Sequence, residues 1–321
     1  MRRRILITCP QLQETIEPYR PIFERHDIDI ELPTVAQQLT EAELLDIIDR
    51  FDGVIAGDDE FTAPVLEKAK RLKTIARWGV GIDGIDLKAA EKFGISVSNT
   101  PNVFNDEVAD VVIGYMVMLS RQLHQLDRGI RAGNWPKIQG ISLRDKVLGI
   151  IGVGSIGRAL AQRGIALGMR VLGYDVNPIS DSVAQAGGFQ MVELDQLLQD
   201  SDFISLNCNL TAANRHMLGP QQFALMKPGV YLINAARGPL IDESALCQAL
   251  GEGKVAGAAL DVFEKEPLPG ESPLRQFDTC IFGTHNSSNT REAVLRVNQR
   301  AIDNLLKELE KAGPIEPGYP G

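Results

Sequence analysis

Three polar residues late in the chain each follow an apolar segment typical of a β-strand: Arg237, Glu266 and His285. Open α/β sheets bind ligands beyond the carboxyl ends of their strands, so these side chains lie where chemistry is expected. An arginine can bind a carboxylate through two hydrogen bonds and polarise an adjacent carbonyl. A histidine can exchange a proton near neutral pH, and a carboxylate bonded to it favours its protonated form. Taken singly, such an arginine is more often a surface residue and such a histidine more often structural.

A glycine-rich turn provides a second chemical signal. An apolar strand runs into Gly152-Val153-Gly154-Ser155-Ile156-Gly157, which has the pattern G-x-G-x-x-G, and a helical pattern follows at once. Gly152 would permit the tight turn, Gly154 would let a pyrophosphate approach the backbone, and Gly157 would let helix and strand pack closely. The amides of Ser155 and Ile156 would then bind the phosphates at the positive end of the helix.

An acidic residue in the following strand indicates which dinucleotide is bound. The next predicted strand ends in Asp175, near the distance of about 20 residues expected for a carboxylate that binds the ribose 2′-hydroxyl. A carboxylate there would repel a 2′-phosphate, so the sequence favours NAD over NADP. The alternative is that Asp175 merely begins a turn before Asn177-Pro178.

Short apolar runs alternate with helical patterns, which is typical of parallel α/β sheets, and 321 residues suffice for two domains. The first hundred residues predict strands at Arg4–Thr8, Ile28–Glu31, Gly53–Ala56, Thr74–Arg77 and Ser96–Ser98. The second part predicts strands at Val147–Val153, Arg170–Tyr174, Phe203–Leu206, Val230–Asn234, Gly257–Asp261 and Thr279–Phe282. Predicted helices are Leu12–Arg25, Thr40–Phe51 with a Thr40/Glu43 capping box, Pro64–Lys70, Asn105–Leu126 and Thr290–Ala312. The tail from Gly313 is expected to be irregular.

Composition excludes several classes of function. A net charge of −9 disfavours nucleic acid as a partner. The longest apolar stretch, Val108 to Leu119, contains Asp110 and is too short to cross a bilayer, so no membrane partner is expected. The four cysteines have no zinc-finger spacing with the histidines, so we expect free thiols, a cytoplasmic protein and no metal site. These residues are Cys9, Cys208, Cys247 and Cys280.

Several separated motifs, taken together and in order, resemble one known family. From about Leu72 to Thr290 the chain is similar to the D-2-hydroxyacid dehydrogenases, and most like their phosphoglycerate dehydrogenase branch. The stretches that carry the resemblance are Arg77-Trp78-Gly79-Val80-Gly81-Ile82-Asp83, Asn99-Thr100-Pro101-Asn102, the turn at Gly152, Asn234-Ala235-Ala236-Arg237-Gly238, Ala259-Leu260-Asp261-Val262-Phe263 and the segment around His285.

The resemblance implies two Rossmann-like doubly wound α/β domains with the active site in the cleft between them. Residues 1–100 would form a flavodoxin-like substrate domain and residues 101–289 the NAD-binding Rossmann domain. A C-terminal helix within residues 290–321 would return to the substrate domain. The implied activity is hydride transfer between NAD(H) and C2 of a small 2-hydroxy or 2-oxo acid. The implied assembly is a homodimer with the helix after Asn102 in the contact.

The family's functional residues can be placed one by one on this sequence. Arg237 would bind the substrate carboxylate and carbonyl, His285 would be the acid/base, and Glu266 would be its partner, with Glu264 the poorer match. Asp261 would contact the nicotinamide carboxamide, and Cys208 and Ala236 would lie beside the cofactor. The implied substrate-binding residues are Arg77, Trp78, Gly79, Val80, Gly81 and Asn102; the amides of 79–81 would bind the carboxylate.

Arg77 has two readings. In phosphoglycerate dehydrogenases the matching arginine faces the substrate phosphate, which would make 3-phosphoglycerate or 3-phosphohydroxypyruvate the substrate. The other reading is an arginine at a strand end that pairs with a carboxylate. Three departures from the family pattern have different implications. Thr284 before the histidine leaves the substrate open, Asn209 would alter contacts to the adenosine, and the bulky Trp78 would narrow the pocket.

Other functions remain as alternatives. A hydroxypyruvate or glyoxylate reductase, or a phosphite dehydrogenase, would use the same three catalytic residues. An NAD-sensing protein like the C-terminal-binding-protein corepressors is a less favoured reading, because the additional segments of those proteins are not found here. A methyltransferase would bind a cofactor at a similar glycine turn but would not require Arg237, Glu266 and His285 in this order.

Overall fold

A computed structural model describes residues 2–179 and 187–313 of the chain. The chain divides into two compact units, one formed by Met1–Val103 with Thr290–Gly321 and the other by Phe104–Asn289. Residues 314–321, in the tail that the sequence predicts to be irregular, lie outside the described residues.

Five parallel strands form the sheet of the first unit in the order β2-β1-β3-β4-β5. This is the flavodoxin-like strand order, so the predicted fold class of this unit is confirmed. The strands are β1 (Arg3–Ile7), β2 (Ile28–Glu31), β3 (Gly53–Ala56), β4 (Thr74–Arg77) and β5 (Ser96–Ser98). Every residue of β3 and β4 is buried, as expected for parallel strands covered on both faces.

Short helices connect these strands, and proline divides one segment that was predicted to be continuous. The predicted helix over Leu12–Arg25 is two helices, because Pro18 and Pro21 lack the amide hydrogen that a continuous helix needs. The capping box of Thr40 and Glu43 is confirmed at the start of α3. The helices are α1 (Pro10–Glu14), α2 (Arg20–Arg25), α3 (Glu41–Leu45), α4 (Ala63–Lys68) and α5 (Leu87–Lys92).

Seven parallel strands form the sheet of the second unit in the order β12-β11-β10-β9-β6-β7-β8. The chain order reverses between β6 and β9, the place where Rossmann domains bind a dinucleotide, and the predicted fold class is confirmed. The strands are β6 (Val147–Ile151), β7 (Arg170–Tyr174), β8 (Phe189–Met191), β9 (Phe203–Leu206), β10 (Val230–Asn234), β11 (Val255–Leu260) and β12 (Cys280–Phe282).

Successive residues of β6 pack into two apolar clusters. Leu148 and Ile150 belong to one cluster, and Val147 and Ile151 belong to the other. Because side chains alternate between the faces of a strand, a strand that is buried on both faces needs an unbroken apolar run. This explains the sequence Val-Leu-Gly-Ile-Ile that leads into the glycine turn.

The helices of the second unit include one correction to the sequence prediction. The single helix predicted from Asn105 to Leu126 is wrong, because Gln122 adopts the left-handed conformation (φ 52°, ψ 39°) and ends the first helix. The helices are α6 (Asn105–Arg121), α7 (Leu123–Arg131), α8 (Ser155–Ala166), α9 (Leu194–Asp200), α10 (Pro220–Leu225) and α11 (Glu243–Gly251).

The last helix, α12 (Arg291–Lys311), packs on the sheet of the first unit. Leu305 lies against Gly53 of β3, where an added Cβ would come within 2.9 Å of its side chain. Asn304 donates a hydrogen bond to the carbonyl of Asn99, which follows β5. The single apolar stripe of this helix is therefore buried against the sheet of the first unit.

No helix among residues 2–179 and 187–313 is long and apolar enough to span a membrane. In the same part of the chain, no three or more His, Cys, Asp or Glu side chains are grouped so as to hold a metal ion. The four cysteines are free thiols.

We expect Asp242→Ala to lower the free energy of unfolding by about 1 kcal/mol at neutral pH. Asp242 caps α11 by accepting hydrogen bonds from the Ser244 and Ala245 amides. Hydrogen bonds from Ser244 and Ala245 lower the pKa of its carboxyl. This stabilisation is therefore complete above the ordinary aspartate pKa and is lost as pH falls through the lower folded pKa. Urea unfolding at neutral and acidic pH measures the difference, which narrows in acid.

Asp242→Asn is the matched control, because it keeps a side-chain oxygen that can accept the same amides. We expect it to retain most of the stability at neutral pH. Equal stability of the wild type and Asp242→Ala at neutral pH would contradict this account of the cap.

Candidate active site

The glycine turn follows β6 at the point where the strand order of the second sheet reverses. Gly152 has a positive φ of 95°, and a Cβ there would lie 2.6 Å from the Cys208 amide nitrogen after β9. A Cβ at Gly157 would collide with the Gly152 carbonyl oxygen. These two glycines therefore close the turn against β9 and bring α8 against the strand.

Gly154 differs from these two glycines. It immediately precedes α8, and a Cβ built on it meets no atom within 4 Å. Glycine here leaves open backbone at the positive end of a helix, which is where a pyrophosphate binds. Beside the turn, the side-chain oxygen of Asn207 is buried without a hydrogen-bond partner among the described residues. The residues present therefore fit a dinucleotide.

Asp175 follows β7 and is bonded to the same turn. Its Oδ2 accepts the Val153 amide at 2.8 Å and its Oδ1 accepts the Asn177 amide at 2.8 Å. The carboxylate thus both starts the turn at Asn177 and holds the glycine loop, so the two sequence readings are compatible. Its contact with the ribose stays a prediction.

Arg237 is positioned by a turn that its own neighbours fix. The Asn234 side chain accepts the Ala236 amide at 3.0 Å and donates to the Arg237 carbonyl at 2.9 Å. A Cβ on Gly238 would collide with the backbone of Phe263. Only glycine therefore lets the turn after β10 pack on the loop after β11.

His285 and Glu266 form the central pair of the second unit. Nδ1 of His285 lies 2.8 Å from Oε2 of Glu266, and Oε1 of Glu266 accepts the Phe263 amide at 2.9 Å. The two side chains are 22% and 17% exposed, so the pair is largely shielded and its ring still reaches solvent. A carboxylate can only accept, so the proton of this hydrogen bond belongs to Nδ1 and the Nε2 atom faces away from Glu266.

Glu264 has a different set of partners, which agrees with its being the poorer match. Its carboxylate accepts the Glu243 amide at 3.0 Å and lies 3.2 Å from Nε2 of His216. Glu243 in turn accepts the Glu264 amide at 2.7 Å, and burial raises the pKa of Glu243. This cluster could not be predicted from the sequence, since His216 and Glu243 belong to none of the motifs.

Asp261 lies at the end of β11 and is 2% exposed. Its Oδ1 accepts the Asn286 amide at 3.1 Å, and its Oδ2 accepts the Ser287 amide at 2.9 Å and the Ser287 hydroxyl. Its backbone carbonyl accepts the His285 amide at 2.7 Å. These four hydrogen bonds all come from the loop that carries the histidine.

The loop after β4 in the first unit contains the three amides predicted to bind a carboxylate, and one of them already has a hydrogen-bond partner. The Gly79 amide donates to the Thr100 hydroxyl at 2.9 Å, so its single hydrogen is already used. The Val80 carbonyl accepts from Asn99 and the Gly81 carbonyl accepts from Arg77. Because the loop is held through carbonyl oxygens, the amides of Val80 and Gly81 remain the candidates for binding a carboxylate.

Arg77 is 7% exposed, and its guanidinium points into its own unit. It donates to the carbonyls of Ala56, Trp78 and Gly81 and forms an ion pair with Asp58. Of the two sequence readings, the structure shows the arginine paired with a carboxylate.

Trp78 is packed inside the first unit, and its effect on the width of the pocket stays a prediction. It is 6% exposed, and its indole nitrogen donates to Asn298 of α12 at 2.7 Å. Asn102, in contrast, is exposed and has a positive φ of 62°.

Beside the glycine turn of the second unit, burial raises the pKa of the Cys208 thiol to about 11, so this side chain stays neutral.

A model of the D-isomer specific 2-hydroxyacid dehydrogenase NAD-binding domain matches residues 113–287. The chain belongs to this family. The matched region contains the glycine turn, Arg237, Asp261, Glu266 and His285, so NAD is the cofactor that family membership assigns to the second unit.

Named relatives cover most of the chain. It is 40% identical over 309 residues to a D-3-phosphoglycerate dehydrogenase of Methanocaldococcus jannaschii, covering 95% of this chain and 56% of that protein. It is 38% identical over 285 residues to a hydroxypyruvate reductase of Thermotoga maritima, covering 87% of this chain and 92% of that protein. The chain thus spans little more than half of the first relative and nearly all of the second.

A solved structure shows the same fold over nearly the whole chain. A D-lactate dehydrogenase from Aquifex aeolicus, complexed with NAD and lactic acid, superposes with a TM-score of 0.84 and 28% identity. The match covers 97% of this chain and 100% of that chain.

We expect Asp175→Ala to weaken NADH binding by about tenfold, since it removes a hydrogen bond to a charged group. NADPH binding should strengthen relative to NADH, because the charge that would repel a 2′-phosphate is gone. Fluorescence titration with each dinucleotide measures both effects. Asp175→Asn keeps an acceptor for the Val153 amide and separates loss of charge from disturbance of the turn. An unchanged preference between the two dinucleotides in both variants would reject the role of Asp175.

Proposed function

We propose that this chain is an NAD-dependent dehydrogenase that transfers hydride between the cofactor and C2 of a small D-2-hydroxy or 2-oxo acid. The observation that carries the proposal is the pair of His285 and Glu266, with 2.8 Å between Nδ1 and Oε2, in the same unit as the glycine turn. The glycine turn, which would bind the cofactor, and the proton donor His285 thus both lie at the carboxyl edge of one sheet.

His285 is the general acid and base of this mechanism. Its Nδ1–H donates to Glu266, so Nε2 is the atom that gives a proton to the substrate oxygen during reduction and takes it back during oxidation. Glu266 stabilises the imidazolium that exists before the proton is given. Because Glu266 is itself held by the Phe263 amide, the ring orientation is set before substrate arrives.

Arg237 handles charge on the substrate. Its guanidinium remains cationic throughout, so it can bind the substrate carboxylate and stabilise negative charge on the adjacent oxygen. Within the first unit, the Val80 and Gly81 amides stay the proposed ligands of a carboxylate. When bound, NADH supplies the hydride for C2, and the open backbone at Gly154 receives its pyrophosphate.

The surroundings of Arg77 favour an unphosphorylated substrate over the phosphorylated one suggested by the resemblance. Its donors serve three carbonyls of its own unit, and its charge is offset by Asp58. Asp59 follows Asp58 directly and also interacts electrostatically with Arg77, so two carboxyl groups lie near this one arginine. A phosphate dianion would meet excess negative charge, whereas glyoxylate or hydroxypyruvate would not. The hydroxypyruvate reductase relative, matched over 92% of its length, agrees with this choice.

We also propose a homodimer that acts in the cytoplasm. Leu123 and Ile130 of α7 are 41% and 50% exposed, which supports a contact surface next to α6. The four free thiols support a reducing compartment.

The test is NADH oxidation by the purified chain with glyoxylate, hydroxypyruvate and 3-phosphohydroxypyruvate. We expect kcat/KM for hydroxypyruvate to exceed that for its phosphorylated form by at least about tenfold, the equivalent of 1.4 kcal/mol of repulsion. Asp58→Asn should narrow this ratio, because it removes negative charge beside Arg77.

Asp29→Asn is the control, since Asp29 pairs with Arg2 on the surface and should leave the ratio unchanged. A preference of the wild type for 3-phosphohydroxypyruvate would overturn the substrate assignment. No turnover of any 2-oxo acid, despite NADH binding, would overturn the dehydrogenase assignment.

A further inference from the structure

The conformation of His285 requires support from its surroundings. Its φ is 54°, in the left-handed region that a residue with a Cβ rarely adopts. Such a conformation persists only where neighbouring contacts hold it. The contacts of the loop around His285 therefore decide whether Nδ1 stays within reach of Glu266.

Most of these contacts converge on Asp261. Its carboxylate holds the two residues that follow the histidine, through the Asn286 amide and through both the amide and the hydroxyl of Ser287. The Asp261 carbonyl holds the histidine amide itself. One buried residue thus binds three consecutive residues of the catalytic loop.

Tyr115 of α6 supports the same carboxylate from another side. Its hydroxyl lies beside Asp261, and burial together with this negative charge raises the pKa of Tyr115, so the phenol remains a neutral donor. A Cβ on Gly283 would collide with Oδ1 of Asp261 and lie 2.6 Å from the Tyr115 hydroxyl. The phenol and the carboxylate therefore fill the space below the loop, and residue 283 must be glycine.

We propose that Tyr115, Asp261 and Ser287 form a positioning network that sets the orientation of His285. The inference rests on the proposed function for its catalytic meaning, and it gives Asp261 a role other than the nicotinamide contact expected from the resemblance. A carboxylate has about four acceptor positions, and three hydrogen bonds together with the tyrosine hydroxyl occupy them. Tyr115 and Ser287 are positioning residues that act through Asp261.

Two conservative substitutions test the network, and in both of them the buried Asp261 carboxylate keeps its hydrogen bonds from the Asn286 and Ser287 amides. Ser287→Ala removes one donor and keeps the amide, and Tyr115→Phe removes one hydroxyl. The matched controls are Ser201→Ala and Tyr231→Phe. Ser201 is buried and donates to the Leu197 carbonyl at 2.6 Å, and Tyr231 stacks on Phe203. Both controls lie at the amino-terminal edge of the second sheet, away from the catalytic loop.

The first readout is steady-state kinetics in the direction of reduction. We expect each network variant to lower kcat by about tenfold, within the range for a misplaced catalytic group, with KM and Kd for NADH unchanged. The controls should match the wild type in kcat. Weaker NADH binding with kcat retained would instead assign Asp261 to the nicotinamide and overturn the positioning role.

The second readout needs no turnover. The chain has four histidines, so NMR of ring-labelled histidine can follow the titration of His285, assigned with His285→Ala. Loosening the contact with Glu266 destabilises the imidazolium, so both network variants should move the midpoint to lower pH while both controls leave it in place. An unchanged midpoint in both folded network variants would overturn the inference, even if the wild type proves active. An inactive wild type with a shifted midpoint would overturn the proposed function alone.

Discussion

The site depends on the parallel alignment of three neighbouring strands. Strands β10, β11 and β12 lie side by side and run in the same direction, so their carboxyl ends meet at one edge. Arg237, Glu266 and His285 lie in the segments that follow these three strands, which brings residues far apart in sequence into one region. Gly238 lets the loops after β10 and β11 pack together, since any side chain there would collide with the backbone of Phe263. The hydrogen bond between His285 and Glu266 is a consequence of this alignment.

The cofactor cradle uses the same sheet in a different way. At β6 and β9 the site requires glycines. A side chain at Gly152 or Gly157 would collide with protein backbone, and glycine at position 154 leaves room for a ligand. At β10 to β12 the requirement is for particular side chains held by hydrogen bonds. A single parallel sheet thus places an anion-binding turn and a proton donor at its carboxyl edge, as the rule for open α/β sheets expects.

Much of this architecture could be predicted because fully buried strands leave an unbroken apolar run. The bounds predicted for Gly53–Ala56, Thr74–Arg77 and Val230–Asn234 agree with the structure. Conformation at one residue could not be predicted: Gln122 ends α6 in the left-handed region although glycine or asparagine is usual there. Hydrogen-bond and ion-pair partners that come from distant segments of the chain could not be predicted either. The pairing of Arg77 with Asp58 and the hold of Tyr115 and Ser287 on Asp261 depend on packing, which no local motif encodes.

The proposed mechanism requires that His285, held by Glu266, supplies the proton that accompanies hydride transfer. The most direct measurement is kcat of His285→Ala at saturating NADH and 2-oxo acid, with NADH affinity measured separately by fluorescence. We expect a loss of about 10²–10⁴-fold in kcat, the range for removal of a general acid, with NADH affinity unchanged. Turnover at the wild-type rate would contradict the claim.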